Sequence, residues 1–198
     1  NDYAIRGVVV NGHDIHHNVE LAKKLQYSST HDKLTRLGNE DHMRNVLEET
    51  PSGSLLLIDI KDFDKVNKTY GHDVGDEILK TTAIRLKMCV REYDTVCRIH
   101  ANEFAILLKS TKEHLDERIA DRIITEASVP SVVSGNNVVV EVAIGITKVD
   151  SRTWEELSVE AKTALEAAKK HDSGAWEMFT KETAPSTDAT AAAEQTEQ

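Results

Sequence analysis

Asp59 closes a short apolar run, Ser54 to Ile60 (SLLLIDI), so a carboxylate stands at the C-terminal lip of a buried strand. Further along, His100-Ala101-Asn102-Glu103 separates two strand-like runs, Thr95 to Ile99 and Phe104 to Lys109, and reads as a hairpin tip. Upstream of the hairpin stands Arg91-Glu92-Tyr93-Asp94. The planar fork of an arginine grips a phosphate or a guanine edge through paired hydrogen bonds, and an aspartate accepts from guanine nitrogens. The competing reading of this pair is a surface ion pair, which contributes about 0–1 kcal/mol. Arg118 and Arg122 lie one helical turn apart and present a basic face. His13, His16 and His17 cluster without a matching acidic or Cys partner and read as solvent-facing rather than metal-binding. Cys89 and Cys97 fit neither a disulfide framework nor a metal knuckle and read as reduced thiols.

The elements that would position these groups follow from periodicity. Ile5 to Asn11 reads as a strand, His13 to Thr30 as a connecting helix, and Thr35 to Glu49 as a turn at Gly38-Asn39 followed by a helix. Lys61 to Gly75 is polar and reads as a loop. Asp76 to Val90, Lys112 to Glu126 and Trp154 to Lys170 carry apolar residues at helical spacing. Asn137 to Thr147 reads as one long strand and Ala175 to Phe179 as an edge strand. Helices alternating with strands around one hairpin imply an α+β fold, a mostly antiparallel sheet flanked by helices. In that arrangement the lip after Asp59 and the tip at 100–103 lie side by side.

Composition bounds the function classes. The chain has 198 residues, 39% of them hydrophobic and 5% aromatic, which suits one aliphatic core with flanks. A net charge of −10 argues against nucleic acid as a partner. No apolar run is long enough to span a bilayer and no signal peptide opens the chain, so a cytoplasmic piece of a longer protein is expected. The segment from Lys181 to Gln198 lacks periodic apolar residues and reads as a disordered tail.

The motifs together resemble the GGDEF family of diguanylate cyclases. The resemblance is carried by His31-Asp32-Lys33-Leu34-Thr35 with Leu37 and Asn39, by Asp59-Ile60-Lys61-Asp62-Phe63, by Asn67 with Tyr70-Gly71-His72 and Gly75-Asp76, and by Asn102-Glu103-Phe104. It covers roughly residues 31–180. The segment 1–12 resembles the end of a PAS sensor domain, and 13–30 would be the connecting helix. The resemblance implies a polymerase-palm, ferredoxin-like sheet and the joining of two GTP into cyclic di-GMP across a dimer. It implies Mg²⁺ or Mn²⁺ at Asp59 and the Ile60 carbonyl, needed only where GTP is bound. Asn67 and Asp76 match the guanine-binding pair, the competing reading being that they cap the loop and the following helix. Gly71 and Gly75 match bends of the backbone, and Lys169 matches a phosphate-side lysine. Arg91 and Asp94 match the R-x-x-D inhibitory site for cyclic di-GMP. Arg118 and Arg122 are candidates for a secondary contact from a partner subunit, or else a solvated helix face.

The departures from the family pattern decide the expected activity. The signature reads His100-Ala101-Asn102-Glu103-Phe104, with side chains at the first two positions and an amide where active members carry a metal-binding acid. Glu103, the adjacent residue, is expected on the opposite face of the hairpin from Asn102. Asp64 stands where a lysine is usual, and Asp172-Ser173 replace Gly-Arg after Lys169. Loss of one electrostatic stabiliser commonly costs about 10²–10³ in rate. The expectation is therefore an inactive domain that binds cyclic di-GMP, or GTP at the old site, within a protein that includes a PAS and possibly an EAL domain. A weakly active cyclase and a nucleotide-free dimerisation module are the alternatives.

Overall fold

The computed structural model describes residues 27, 29–109, 112 and 114–180. The expected strand at 5–11, most of the connecting helix at 13–30 and the tail at 181–198 lie outside the described residues.

Asn39 starts helix α1 (Glu40–Glu48) by accepting a hydrogen bond from the His42 N–H. The strand β1 (Gly53–Ile60) is buried along its whole length. Then come α2 (Phe63–Tyr70), α3 (His72–Met88), β2 (Thr95–His100), β3 (Glu103–Leu108) and α4 (Leu115–Ala127). The last elements are β4 (Ser131–Val133), β5 (Asn136–Val138), β6 (Val142–Val149), α5 (Trp154–Ala168) and β7 (Ala175–Met178). The main sheet runs β2-β3-β1-β6-β7, antiparallel except for the parallel edge pair β6–β7.

The pleat of β1 sends side chains alternately to two cores. Leu56, Ile58 and Ile60 pack with residues of α3 and α4. Leu55 and Leu57 pack with Met43 of α1 and Leu157, Ala161 and Leu165 of α5. Asp59 shares the parity of Leu55 and Leu57 and so faces the α5 side. Helix α5 sits against the backbone of β6: a Cβ at Gly145 would lie 2.0 Å from the Ala161 carbonyl oxygen. This close approach admits only glycine there, and it fixes the depth of the helix whose end carries Lys169.

Two sequence expectations are corrected. Residues 61–75 are not a loop: α2 fills 63–70, and α3 begins at His72 rather than Asp76. Only Val66 of α2 is buried, so the helix carries too narrow an apolar stripe for its period to show in sequence. The long strand expected at 137–147 is two strands. β5 pairs with β4 in a separate hairpin, and β6 joins the main sheet after a break. The run of β-branched residues hides that break, at which the Glu141 carbonyl accepts from the Lys61 N–H at 2.9 Å.

A buried polar cluster ties β1, α4 and β6 together. Asp116 is 2% exposed, accepts from Ser54 Oγ at 2.8 Å and pairs with Lys148 Nζ. Burial pushes its carboxyl up, but the Lys148 and Ser54 hydrogen bonds outweigh this and hold it below the ordinary value of 3.8. A folded pKa below the unfolded one gives stability that is complete above 3.8 and is lost as pH falls through the folded value. Asp116→Ala is expected to cost about 2 kcal/mol, less than the 3–5 of a fully buried pair because Lys148 reaches solvent. It should also flatten the acid limb of a pH series of urea melts.

Candidate functional site

The loop after β1 and the β2–β3 tip meet as their register dictates. Asp59 lies opposite Glu103 on one side and Ala143 on the other. Directly opposed residues share a face, so Glu103 stands on the α5 side with Asp59, and its charge helps to raise the Asp59 pKa. The separation of Glu103 from this site that adjacent-residue alternation suggested therefore does not hold: Asn102 lies in the turn, outside the strand pleat.

Asn102 reaches across to β1. Its Nδ2 donates to Asp59 Oδ2 at 3.1 Å and to the Ile60 carbonyl at 3.0 Å, while the Ile60 N–H donates to the Asn102 carbonyl at 3.3 Å. Both side-chain partners are pure acceptors, so the amide must present its NH₂ to them. Lys169, at the C-cap of α5, places Nζ 3.4 Å from the same Asp59 Oδ2 and 3.1 Å from Glu166 Oε1. Burial raises the Asp59 carboxyl despite the opposing Lys169 charge. For Lys169, burial lowers the pKa, but Glu166 and Asp59 outweigh it and raise it, so the ammonium stays charged.

The two oxygens matched to a divalent ion are thus bonded to an amide N–H pair. A hard cation needs several oxygen ligands, carboxylates above all. Asp59 is the one carboxylate bonded at this point, and an ammonium already lies beside it. Among the described residues no group of three His, Cys, Asp or Glu is close enough to hold a metal. The residues as arranged do not fit the ion.

Beside Asp59 opens a cleft of about 470 Å³ lined by Asp62, Phe63, Asp64, Lys65, Lys68 and Asn102. Asp64 does line it, as its position suggested. Lys65 and Lys68 also line it and were missed in the sequence, because the helix that orients them reads there as a loop. Asn67 is turned toward α3: a Cβ at Gly75 would lie 1.9 Å from Asn67 Oδ1. Gly75 therefore serves close packing, not a bend, and the bend falls at Gly71, whose φ is +90°. Asp76 is exposed within α3, and neither α2 nor α3 has a side-chain cap, so the capping alternative for Asn67 and Asp76 fails. Lys61 Nζ donates to the carbonyls of His171 at 2.6 Å and Ser173 at 3.2 Å, pinning the segment that replaces Gly-Arg.

The hairpin tip is braced by a second pair missed in the sequence. Arg98 Nη1 bonds Asp32 Oδ1 at 3.1 Å, and Arg98 Nε donates to the Ala101 carbonyl at 3.0 Å. The D-x-L-T segment thereby supports the signature, and its signal was an Arg two residues before His100. His100 is exposed, its Nε2 3.6 Å from Glu40 Oε2. Phe104 is fully buried.

At Arg91–Asp94 the two side chains do not pair with each other. Asp94 accepts from the Arg91 N–H at 3.0 Å and the Lys109 N–H at 3.1 Å, which closes the turn. The exposed Arg91 guanidinium lies against Tyr93 and bonds its hydroxyl. Tyr93 and Asp94 also line a pocket of about 440 Å³ whose wall carries Arg36, Lys87 and Lys109. Arg122 caps the Cys89 carbonyl at the end of α3 in its own chain, two residues before Arg91, while Arg118 is exposed one turn earlier.

A five-stranded, mostly antiparallel sheet with an acid at its central lip and a hairpin beside it defines a palm-like α+β domain. A family model described as "Diguanylate cyclase, GGDEF domain" matches residues 29–175, and the chain belongs to that family. It is 34% identical over 163 residues to the response regulator PleD of Caulobacter vibrioides, covering 79% of this chain and 36% of that protein. It is 29% identical over 157 residues to the bifunctional diguanylate cyclase/cyclic di-GMP phosphodiesterase MucR of Pseudomonas aeruginosa, covering 74% and 23%. The chain thus spans about a third or less of the length of these two relatives. Among solved structures, the GGDEF domain of PA1120 (TpbB or YfiN) from Pseudomonas aeruginosa superposes with a TM-score of 0.73 at 30% identity, covering 77% of this chain and 96% of that one. The coiled coil and GGDEF domain of DgcB from Caulobacter crescentus, in complex with c-di-GMP, shares the fold with a TM-score of 0.77 at 19% identity, covering 84% and 94%. No described helix is long and apolar enough to cross a membrane.

Proposed function

We propose that this domain does not make cyclic di-GMP but binds it, at Arg91 and Asp94, and serves as a regulatory module in cyclic di-GMP signalling. The observation that carries this reading is the contrast between its two sites. At Asp59 the donors and acceptors are satisfied by one another through Asn102 and Lys169. At Arg91 the guanidinium is exposed, unpaired with Asp94, and set on a turn that Asp94 itself holds in shape. The pocket beside Tyr93 carries Arg36, Lys87 and Lys109 against Glu92 and Asp94, a small excess of positive charge that favours a phosphate-bearing ligand.

GTP at the old site is a secondary ligand of this reading, favoured by Lys65 and Lys68 in the cleft and by Asn67, whose side chain packs at Gly75, the residue before Asp76. Dimerisation through the 13–30 segment, a preceding PAS domain and a following EAL domain belong to the same proposal. Calorimetry with cyclic di-GMP tests it. Saturable heat that Arg91→Ala shifts to much higher ligand concentration is the expected result; no heat at high ligand concentration overturns it.

A further inference from the structure

We infer that the Asn102 amide acts as a built-in substitute for the divalent cation, so that the Asp59 site excludes Mg²⁺ and Mn²⁺ and any nucleotide in the adjoining cleft is held without them. The inference rests on reading Asp59 as the former metal position. It goes beyond loss of activity, because it states what took the ion's place and how to reverse the exchange.

The geometry supplies the argument. A metal at this lip would draw on Asp59 Oδ2 and the Ile60 carbonyl, and those are the two atoms that Asn102 Nδ2 contacts, at 3.1 and 3.0 Å. An ion entering there must turn the amide over, because only Oδ1 can ligate and the NH₂ face would repel it. The Lys169 ammonium, 3.4 Å from the same oxygen, matches a lysine the family retains, so the block is assigned to the amide. The groups facing Asp59 are Glu103 and Glu166 on the acidic side and Lys169 on the basic side. Lys169 is shared with Glu166 at 3.1 Å, so the ammonium is held from two sides. Asn102 is also fixed through its main chain, which accepts from the Ile60 N–H. The amide is therefore a local, reversible block. One change of NH₂ to O⁻, Asn102→Asp, removes two donors and sets a second carboxylate against Asp59, an excess of negative charge that favours a divalent cation or a proton.

Mn²⁺ alone is the probe, so the outcome does not depend on whether the domain binds cyclic di-GMP. Bound Mn²⁺ is read by electron paramagnetic resonance, and thermal unfolding is followed with chelator and with Mn²⁺. The natural protein is expected to bind no stoichiometric Mn²⁺ up to about 1 mM, the weak end of protein cation sites, and to show an unchanged Tm. Asn102→Asp is expected to melt earlier in chelator, to regain stability with Mn²⁺ and to bind the ion at least about tenfold more tightly, since carboxylate count sets such affinities. Stoichiometric sub-millimolar Mn²⁺ on the natural protein, lost in Asp59→Asn, would overturn the inference. So would an Asn102→Asp variant that folds in chelator and ignores Mn²⁺. If that variant fails to fold at all, the natural protein's titration against Asp59→Asn decides alone.

Discussion

Phe104→Ala is expected to lower the unfolding free energy by about 3–5 kcal/mol. Domains of this size have about 5–15 kcal/mol in total, so the variant would lie close to the edge of folding at 37 °C. Phe104 heads the largest fully buried side chains, registered opposite Ile58 of β1 and Arg98 of β2. It packs in the core beneath α3 and α4, among Ile58, Ile106 and the apolar residues of those helices. Urea denaturation at constant m-value measures the loss. Phe104→Leu, which keeps most of the volume, should cost well under half as much. The same residue closes the hairpin signature two positions after Asn102, so its contribution is to anchor the tip rather than to contact a ligand.

Arg91→Ala is expected to weaken cyclic di-GMP binding by about 30–100-fold, equivalent to about 2–2.7 kcal/mol for lost charge-assisted hydrogen bonds. Folding should be unaffected, because Arg91 is exposed and its guanidinium contacts only Tyr93 among the described residues. Arg91→Lys keeps the charge but loses the fork and should fall between the two. Asp94→Ala should behave differently. It removes the acceptor that closes the turn on the Arg91 and Lys109 amides, so both affinity and local order should fall. Calorimetry on the three variants, with hydrogen exchange at residues 91–94, separates the direct role from the structural one.

The parts of the fold legible in the sequence were those with a strong period or a strong punctuation mark. The SLLLIDI run became β1 and placed Asp59 at its lip, and the hairpin around 100–103 lies beside it. Helix α2 was hidden because Val66 is its one buried residue, and with it went the direction of Lys65 and Lys68. The split between β5 and β6 was hidden because valines continue through the break. At the site, residue types indicated that an amide had replaced an acid. That the amide nitrogen fills the place between Asp59 and Ile60 depends on a turn conformation and a cross-strand register that spacing alone does not encode. The Asp32–Arg98 brace joins positions far apart in sequence, and only the packed sheet brings them together.

The balance of charge at Asp59 determines whether phosphoryl chemistry is available. With Asn102 and Lys169 as its neighbours, the carboxylate meets an N–H pair and an ammonium, where in-line displacement calls for two bridging cations. The direct measurement is chromatographic analysis of GTP incubated with the domain in Mg²⁺ and in Mn²⁺, with Asp59→Ala as the control. The expected result is no cyclic di-GMP above that control in either metal. Cyclic di-GMP accumulating over many turnovers, and lost in Asp59→Ala, would contradict the account.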